Sequence, residues 1–168
     1  ETGVEGLSHG RQSTDGPLRS LTVAAGAHNG RVSIVESAIY RDGRKVESPQ
    51  SLQDTYRLLQ TVMDRAQQDC AQDDHADTVV AWIGLYRPSR EEIASLTEHF
   101  QLHELAVEDT VQAHQRPKME RYGETLFTVI RPAVYQDESE TVEIGEIHIF
   151  TGPNFVITIR HSESSGVG

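Results

Sequence analysis

Several residue groups in this 168-residue chain have types and spacings that could do chemistry. His99 and His103 stand four apart, the spacing at which two imidazoles on one helical face can share a zinc ion. The residues between them are Phe100-Gln101-Leu102, without the glutamate of an H-E-x-x-H metalloprotease, and no third ligand is evident. The other reading is two surface histidines at a helix junction. Asp69, Asp73, Asp74, His75 and Asp77 gather acids in a loop but lack the D-x-D-x-D-G spacing of a calcium loop, so they read as a solvated acidic loop. Glu108-Asp109 is an adjacent acidic pair, a source of the hard oxygen donors that a divalent cation takes. There is no G-x-S-x-G, no P-loop, no G-x-G-x-x-G and no nucleophile–base pair of defined spacing. The chain therefore reads as a non-enzyme. Its one cysteine, Cys70, falls on an apolar helical stripe and reads as a small buried hydrophobe.

The acidic pair lies inside the stretch from Phe100 to Tyr122, F-Q-L-H-E-L-A-V-E-D-T-V-Q-A-H-Q-R-P-K-M-E-R-Y. With Leu102 placed on a helix, Leu105, Ala106, Asp109 and Ala113 share its face. Asp109 then occupies a position that should be apolar, and a buried carboxylate must be paired, capped or at an interface. Alternatively the helix breaks near Glu108 and Asp109 caps the next turn. The pair is followed by His114-Gln115-Arg116-Pro117-Lys118, a basic turn that Pro117 holds extended. Arg116 and Lys118 are near Glu120 and the acidic pair, which gives them a structural role in positioning the loop electrostatically.

The elements that must carry these residues follow from apolar periodicity. Arg31 to Tyr40 reads as a strand, Asp42-Gly43 as a hairpin turn, and Lys45-Val46 as a short returning strand. Ser48 as N-cap and Pro49 at the first helical position would start a helix whose stripe is Leu52, Tyr56, Leu59, Met63, Ala66 and Cys70. The nearly continuous apolar run V-V-A-W-I-G-L-Y predicts a central strand covered on both faces. Ser89-Arg90-Glu91-Glu92 is a capping box opening a short helix that buries Ile93, Leu96, Thr97 and Phe100. Thr125–Tyr135, Val142–Phe150 and Phe155–Ile159 read as three strands of a meander, with Pro132 confined to an edge or bulge. The expected fold class is α/β, with a mixed, largely antiparallel sheet flanked by helices on both faces. Residues 1–26, polar and glycine-rich, read as a flexible tail ahead of a domain over 27–162.

Composition narrows the partners. Lys plus Arg is 15 against 26 Asp plus Glu, a net charge of −11, which argues against nucleic acid and is compatible with cations. One cysteine excludes an internal disulfide. The longest apolar run is far short of the roughly 20 residues a membrane helix needs.

L-H-E-L-A-V-E-D, then H-Q-R-P-K-M-E, then L-F-T-V-I and I-F-T-G-P-N-F-V-I-T-I, together with W-I-G-L-Y-R-P-S-R-E-E-I upstream, resemble the amino-terminal cytoplasmic domain of CorA-family magnesium transporters. The similarity runs from about Val79 to His161. It implies an α/β/α sandwich that assembles as a homopentamer on the cytoplasmic face of the plasma membrane, with regulatory divalent-cation sites between subunits. By the same resemblance Asp109 matches a ligand of one such site and Glu108 a contributor to a second, each with partners from later parts of the chain. Residues 163–168 would begin the connection to the stalk helix, and contact with the membrane would be through carboxy-terminal spans outside this sequence. The implied ion is Mg2+, with Co2+, Ni2+ or Zn2+ as alternatives, and cation binding would favour the closed state. The competing readings are a zinc-transporting branch of the family, a zinc enzyme using His99 and His103, and a soluble interaction module.

Overall fold

The computed structural model describes residues 33–70 and 77–161, Cys70 by its backbone only. The proposed tail, the loop residues Asp73, Asp74 and His75, the Cys70 side chain and the boundaries near 26 and 162 lie outside the described residues. Strand β1 (Ile34–Arg41) turns back into β2 (Arg44–Glu47) through Asp42 and Gly43. Both turn residues have positive φ, 50° and 73°, the conformation the Asp-Gly pair was expected to adopt. Helix α1 is Leu52–Cys70, so it starts three residues later than the Ser48-Pro49 signal suggests. Ser51 sets the start instead: its Oγ accepts the Asp54 N–H at 3.0 Å and donates to the Asp54 carboxylate at 2.8 Å.

The apolar run forms β3 (Val79–Tyr86), and the Ser89 capping box opens α2 (Arg90–Phe100) with both reciprocal bonds formed. Gln101 then takes a left-handed conformation (φ 51°, ψ 47°) and ends the helix. Leu102 therefore lies between two helices rather than on one, and α3 runs from Glu104 to Gln112. Beyond it come the strands β4 (Lys118–Tyr122), β5 (Thr125–Ile130), β6 (Ala133–Gln136), β7 (Thr141–Ile144), β8 (Glu146–Thr151) and β9 (Phe155–His161). Two of the expected strands are each split. Pro132 has no N–H to continue the ladder, and its carbonyl accepts the Gly145 N–H at 2.8 Å, so β6 and β7 leave the main sheet as a separate hairpin.

The seven remaining strands pair in the order β2-β1-β3-β9-β8-β5-β4. Only β3 and β9 run parallel; every other neighbouring pair is antiparallel, the mixed, largely antiparallel sheet of an α/β fold. One face carries Ala81, Ile83 and Leu85 of β3, Ile157 and Ile159 of β9, Phe150 of β8 and Phe127 and Val129 of β5. Leu59, Val62 and Ala66 of α1, Leu96 and Phe100 of α2, Leu102, and Ala106 of α3 pack into that same core. The other face shows Trp82, Val156, Thr158, Ile147 and Ile149 half-buried. All three described helices lie on the first face, so a helical layer over the second is not among the described residues.

Candidate functional site

His99 and His103, four apart in sequence, are separated by the helix break. His99 stacks on Tyr56 of α1 with ring centroids 3.9 Å apart, and burial pushes its pKa below the usual value. His103 is the N-cap of α3: its Nδ1 accepts the Leu105 N–H at 3.3 Å, and its ring stacks on Tyr122 at 4.3 Å. Both have packing and capping roles, which is the junction reading. Asp69 and Asp77 accept hydrogen bonds from the Arg41 guanidinium, at 2.6 Å from Nη2 and Nε respectively.

Asp109 does not cap a turn. Helix α3 continues past it to Gln112, and the Asp109 carbonyl accepts the Ala113 N–H at 3.0 Å. The face expected to be apolar is also rotated: Leu105 is 52% exposed, while Ala106 and Thr110 are buried. The early break after Phe100 changes the helical phase, since Leu102 no longer belongs to the helix. Asp109 consequently sits at the margin of the buried stripe, its side chain 22% exposed, with Oδ2 2.6 Å from the Lys118 Nζ. Glu108 faces solvent and accepts from the Gln112 amide at 2.8 Å.

Lys118 belongs to a strand, β4, and not to the turn predicted for it. Along β4 the half-buried residues Lys118, Glu120 and Tyr122 alternate with exposed Met119 and Arg121, so the first three share the helical face. Lys118 Nζ also lies 3.0 Å from Glu120 Oε2, which accepts the Tyr122 hydroxyl at 2.9 Å. The Asp109 hydrogen bond, and then Glu120, hold the Lys118 ammonium above its usual pKa. Lys118 in turn lowers Glu120. Tyr122 closes the ring by stacking on His103, so α3 is tied to β4 near both of its ends. Arg116 and Pro117 are exposed, and Gln115 donates its backbone N–H to Glu146 at 3.2 Å.

Beneath this surface lies a buried polar network that the strand pattern concealed. His148, fully buried, places Nε2 2.7 Å from Glu146 Oε1 and Nδ1 3.1 Å from Thr110 Oγ1. Thr110 has one hydroxyl proton and two acceptors in reach, because the Ala106 carbonyl is 2.8 Å away. A neutral His148 with its proton on Nε2 takes that hydroxyl proton at Nδ1; an imidazolium donates at both nitrogens and returns the hydroxyl to Ala106. Burial is the largest influence and lowers the His148 pKa, with the Glu146 carboxylate opposing it. His161 packs beside it at 4.8 Å between ring centroids and is lowered for the same reason. E-I-H-I-F-T is the sequence of β8, and isoleucines on the outer face hide the fact that Glu146 and His148 point inward.

The oxygen donors of Asp109 and Glu108 suit a hard divalent cation. Among the described residues, however, no three His, Cys, Asp or Glu side chains are grouped to hold a metal ion. The described residues thus present carboxylates without a complete ligand set. No described helix is long and apolar enough to cross a membrane.

Residues 77–168 match the family described as "CorA-like Mg2+ transporter protein". Over 94 residues the chain is 36% identical to the putative metal ion transporter YfjQ of Bacillus subtilis (strain 168); the match covers 56% of this chain and 28% of that relative. Among solved structures, the full-length CmaX protein shares the fold with a TM-score of 0.50 at 18% identity, over 83% of this chain and 38% of CmaX. The soluble domain of CorA from Methanocaldococcus jannaschii aligns with a TM-score of 0.45 at 12% identity, over 79% of this chain and 43% of that one.

Proposed function

Because the chain belongs to the CorA-like Mg2+ transporter family, we propose that it is the cytoplasmic, divalent-cation-sensing domain of a magnesium or cobalt transporter. The observation that supports this most directly is the placement of the acidic pair. Helix α3 holds Glu108 at the surface and Asp109 at the edge of the core, on a segment fixed by its caps and by the sheet beneath it. Asp109 and Glu108 would contribute carboxylate oxygens, and a second copy of the chain, in a homopentamer, would supply the rest. Mg2+ keeps several waters and often uses only one or two carboxylates. Acidic faces brought together repel, and a bound cation relieves that repulsion, so occupancy favours the closed arrangement. Such a bias on two states is what regulation requires. Residues His114 to Lys118 serve as scaffold.

The test is calorimetric titration of the 168-residue chain with Mg2+, Co2+ and Zn2+, in wild type and in Asp109→Ala. Losing a ligating carboxylate should weaken binding about tenfold or more. Binding of the same strength in the variant removes Asp109 from the site.

A further inference from the structure

We propose that Lys118 is a built-in counter-cation of this site: its ammonium sits between Asp109 and Glu120, and a divalent ion gains Asp109 only by displacing it, with Glu120 freed as a second carboxylate. The inference rests on the reading of Asp109 as a cation ligand and adds what regulates that ligand. Nζ is 2.6 Å from Asp109 Oδ2 and 3.0 Å from Glu120 Oε2, so one positive charge bridges two carboxylates from two elements, α3 and β4. Neither carboxylate is loosely held. Asp109 lies within α3, whose last turn is closed by the Ala113 N–H on the Asp109 carbonyl, and Glu120 is fixed by the Tyr122 hydroxyl. The lysine stem lies along the helical face of β4, with Nζ 5.8 Å from the centre of the Phe127 ring, so its approach is set by packing as well as charge.

An ammonium satisfies two carboxylates with one charge and with donors on a flexible stem. A divalent ion brings twice the charge to the same pair. A monovalent ion offers no gain over the ammonium already in place. The lysine therefore raises the concentration at which a divalent ion occupies Asp109 and discriminates against monovalent competitors.

The experiment titrates the 168-residue chain with Mg2+ alone, followed by calorimetry and by the carboxyl carbon NMR shifts of Asp109 and Glu120. A role for Lys118 in folding alone would not move those shifts with Mg2+. Lys118→Met should tighten binding about 3- to 5-fold, the upper part of the range expected for freeing a partly exposed ion pair. Lys118→Arg, which keeps the charge, should stay within about twofold of wild type. Adding Asp109→Asn to Lys118→Met should abolish the gain. Binding that depends on Asp109 but is unchanged or weaker in Lys118→Met overturns the lysine's role and leaves the sensing function standing. Absence of any Asp109-dependent binding, in wild type and in Lys118→Met alike, overturns both. If Lys118→Met does not fold, Glu120→Gln decides: weaker Mg2+ binding supports the second carboxylate, and unchanged binding overturns it.

Discussion

Replacing His148 by phenylalanine isolates the Glu146 carboxylate in the core while keeping a ring of similar size. His148 and Thr110 are fully buried and Glu146 is 6% exposed, so water cannot take over the lost bond. The carboxylate would keep only the Gln115 N–H, at 3.2 Å, and lose its 2.7 Å contact with the imidazole. Thr110 retains the Ala106 carbonyl and adds no penalty. A buried charge deprived of its partner costs about 3 kcal/mol, a large share of the roughly 5–15 kcal/mol of a whole domain. Glu146→Leu alone leaves the Gln115 N–H without an acceptor and the His148 Nε2 without a partner, the ring proton moving to Nδ1 and Thr110, at about 2 kcal/mol. The double variant His148→Phe/Glu146→Leu removes donor and acceptor together, and only Gln115 stays unpaired. It should lie about 1 kcal/mol below wild type and above either single variant. The pH dependence has a definite sign. Burial holds His148 and His161 below their ordinary value of 6.5, so their contribution to wild-type stability is present above that pH and is lost as the pH falls below it. His148→Phe lacks the His148 part of that loss. The gap between the two proteins is therefore widest near pH 8 and narrows toward pH 5. Urea unfolding followed through the fluorescence of the one tryptophan, Trp82, measures it. A single variant within about 0.5 kcal/mol of wild type at pH 8, or a double variant no more stable than His148→Phe, would refute the network.

Two further substitutions test backbone positions. A Cβ on Gly152 would come within 2.2 Å of the Phe155 ring, which packs against Phe100 at 4.5 Å between centroids and has little room to move. Gly152→Ala should lower stability by about 1–3 kcal/mol, seen as a drop in the urea midpoint at unchanged slope. Ala113 ends α3 at φ 53° and ψ −165°, a conformation that side chains rarely adopt. Ala113→Gly should therefore raise the melting temperature, with a net gain of about 1 kcal/mol after the extra freedom glycine gives the unfolded chain; a fall would mean that Ala113 is not strained.

The parts of this fold legible in the sequence are those where one local signal suffices. Asp42-Gly43 specifies its own turn, Ser89 and Glu92 their own helix start, and V-V-A-W-I-G-L-Y a strand in the middle of the sheet. A helix junction near His99 and His103 was legible, but its exact place was not, because nothing in F-Q-L-H forbids a helix that includes Leu102; the break comes from Gln101 taking a left-handed conformation and His103 offering a ring nitrogen as cap. That break set the phase of α3, so a face drawn through Leu102, Leu105 and Asp109 was misplaced. For β4, K-M-E-R-Y has no apolar alternation to announce it as a strand. Its inward residues are Lys118, Glu120 and Tyr122, whose polar ends serve α3 and not the core. The Thr110–His148 contact is non-local, joining residues 38 positions apart, and only the packing of α3 on the sheet brings them together, whereas Glu146 and His148 meet as neighbours on one face of β8.

These contacts decide how a sensor built on α3 could signal. The helix is held at its start by His103 against Tyr122, on its outer side by Asp109 to Lys118, on its inner side by Thr110 to His148, and just past its end by the Gln115 N–H to Glu146. Bending it would break several of these at once, two of them in the buried core where an unmet polar group is costly. A cation arriving at Asp109 therefore meets a helix that does not readily move. What can change at low cost is the half-buried ammonium of Lys118 and the charge that this face presents. If the domain senses divalent ions, the information leaves it as a change in surface charge between copies, and the rigidity of α3 keeps that change from being absorbed within the chain.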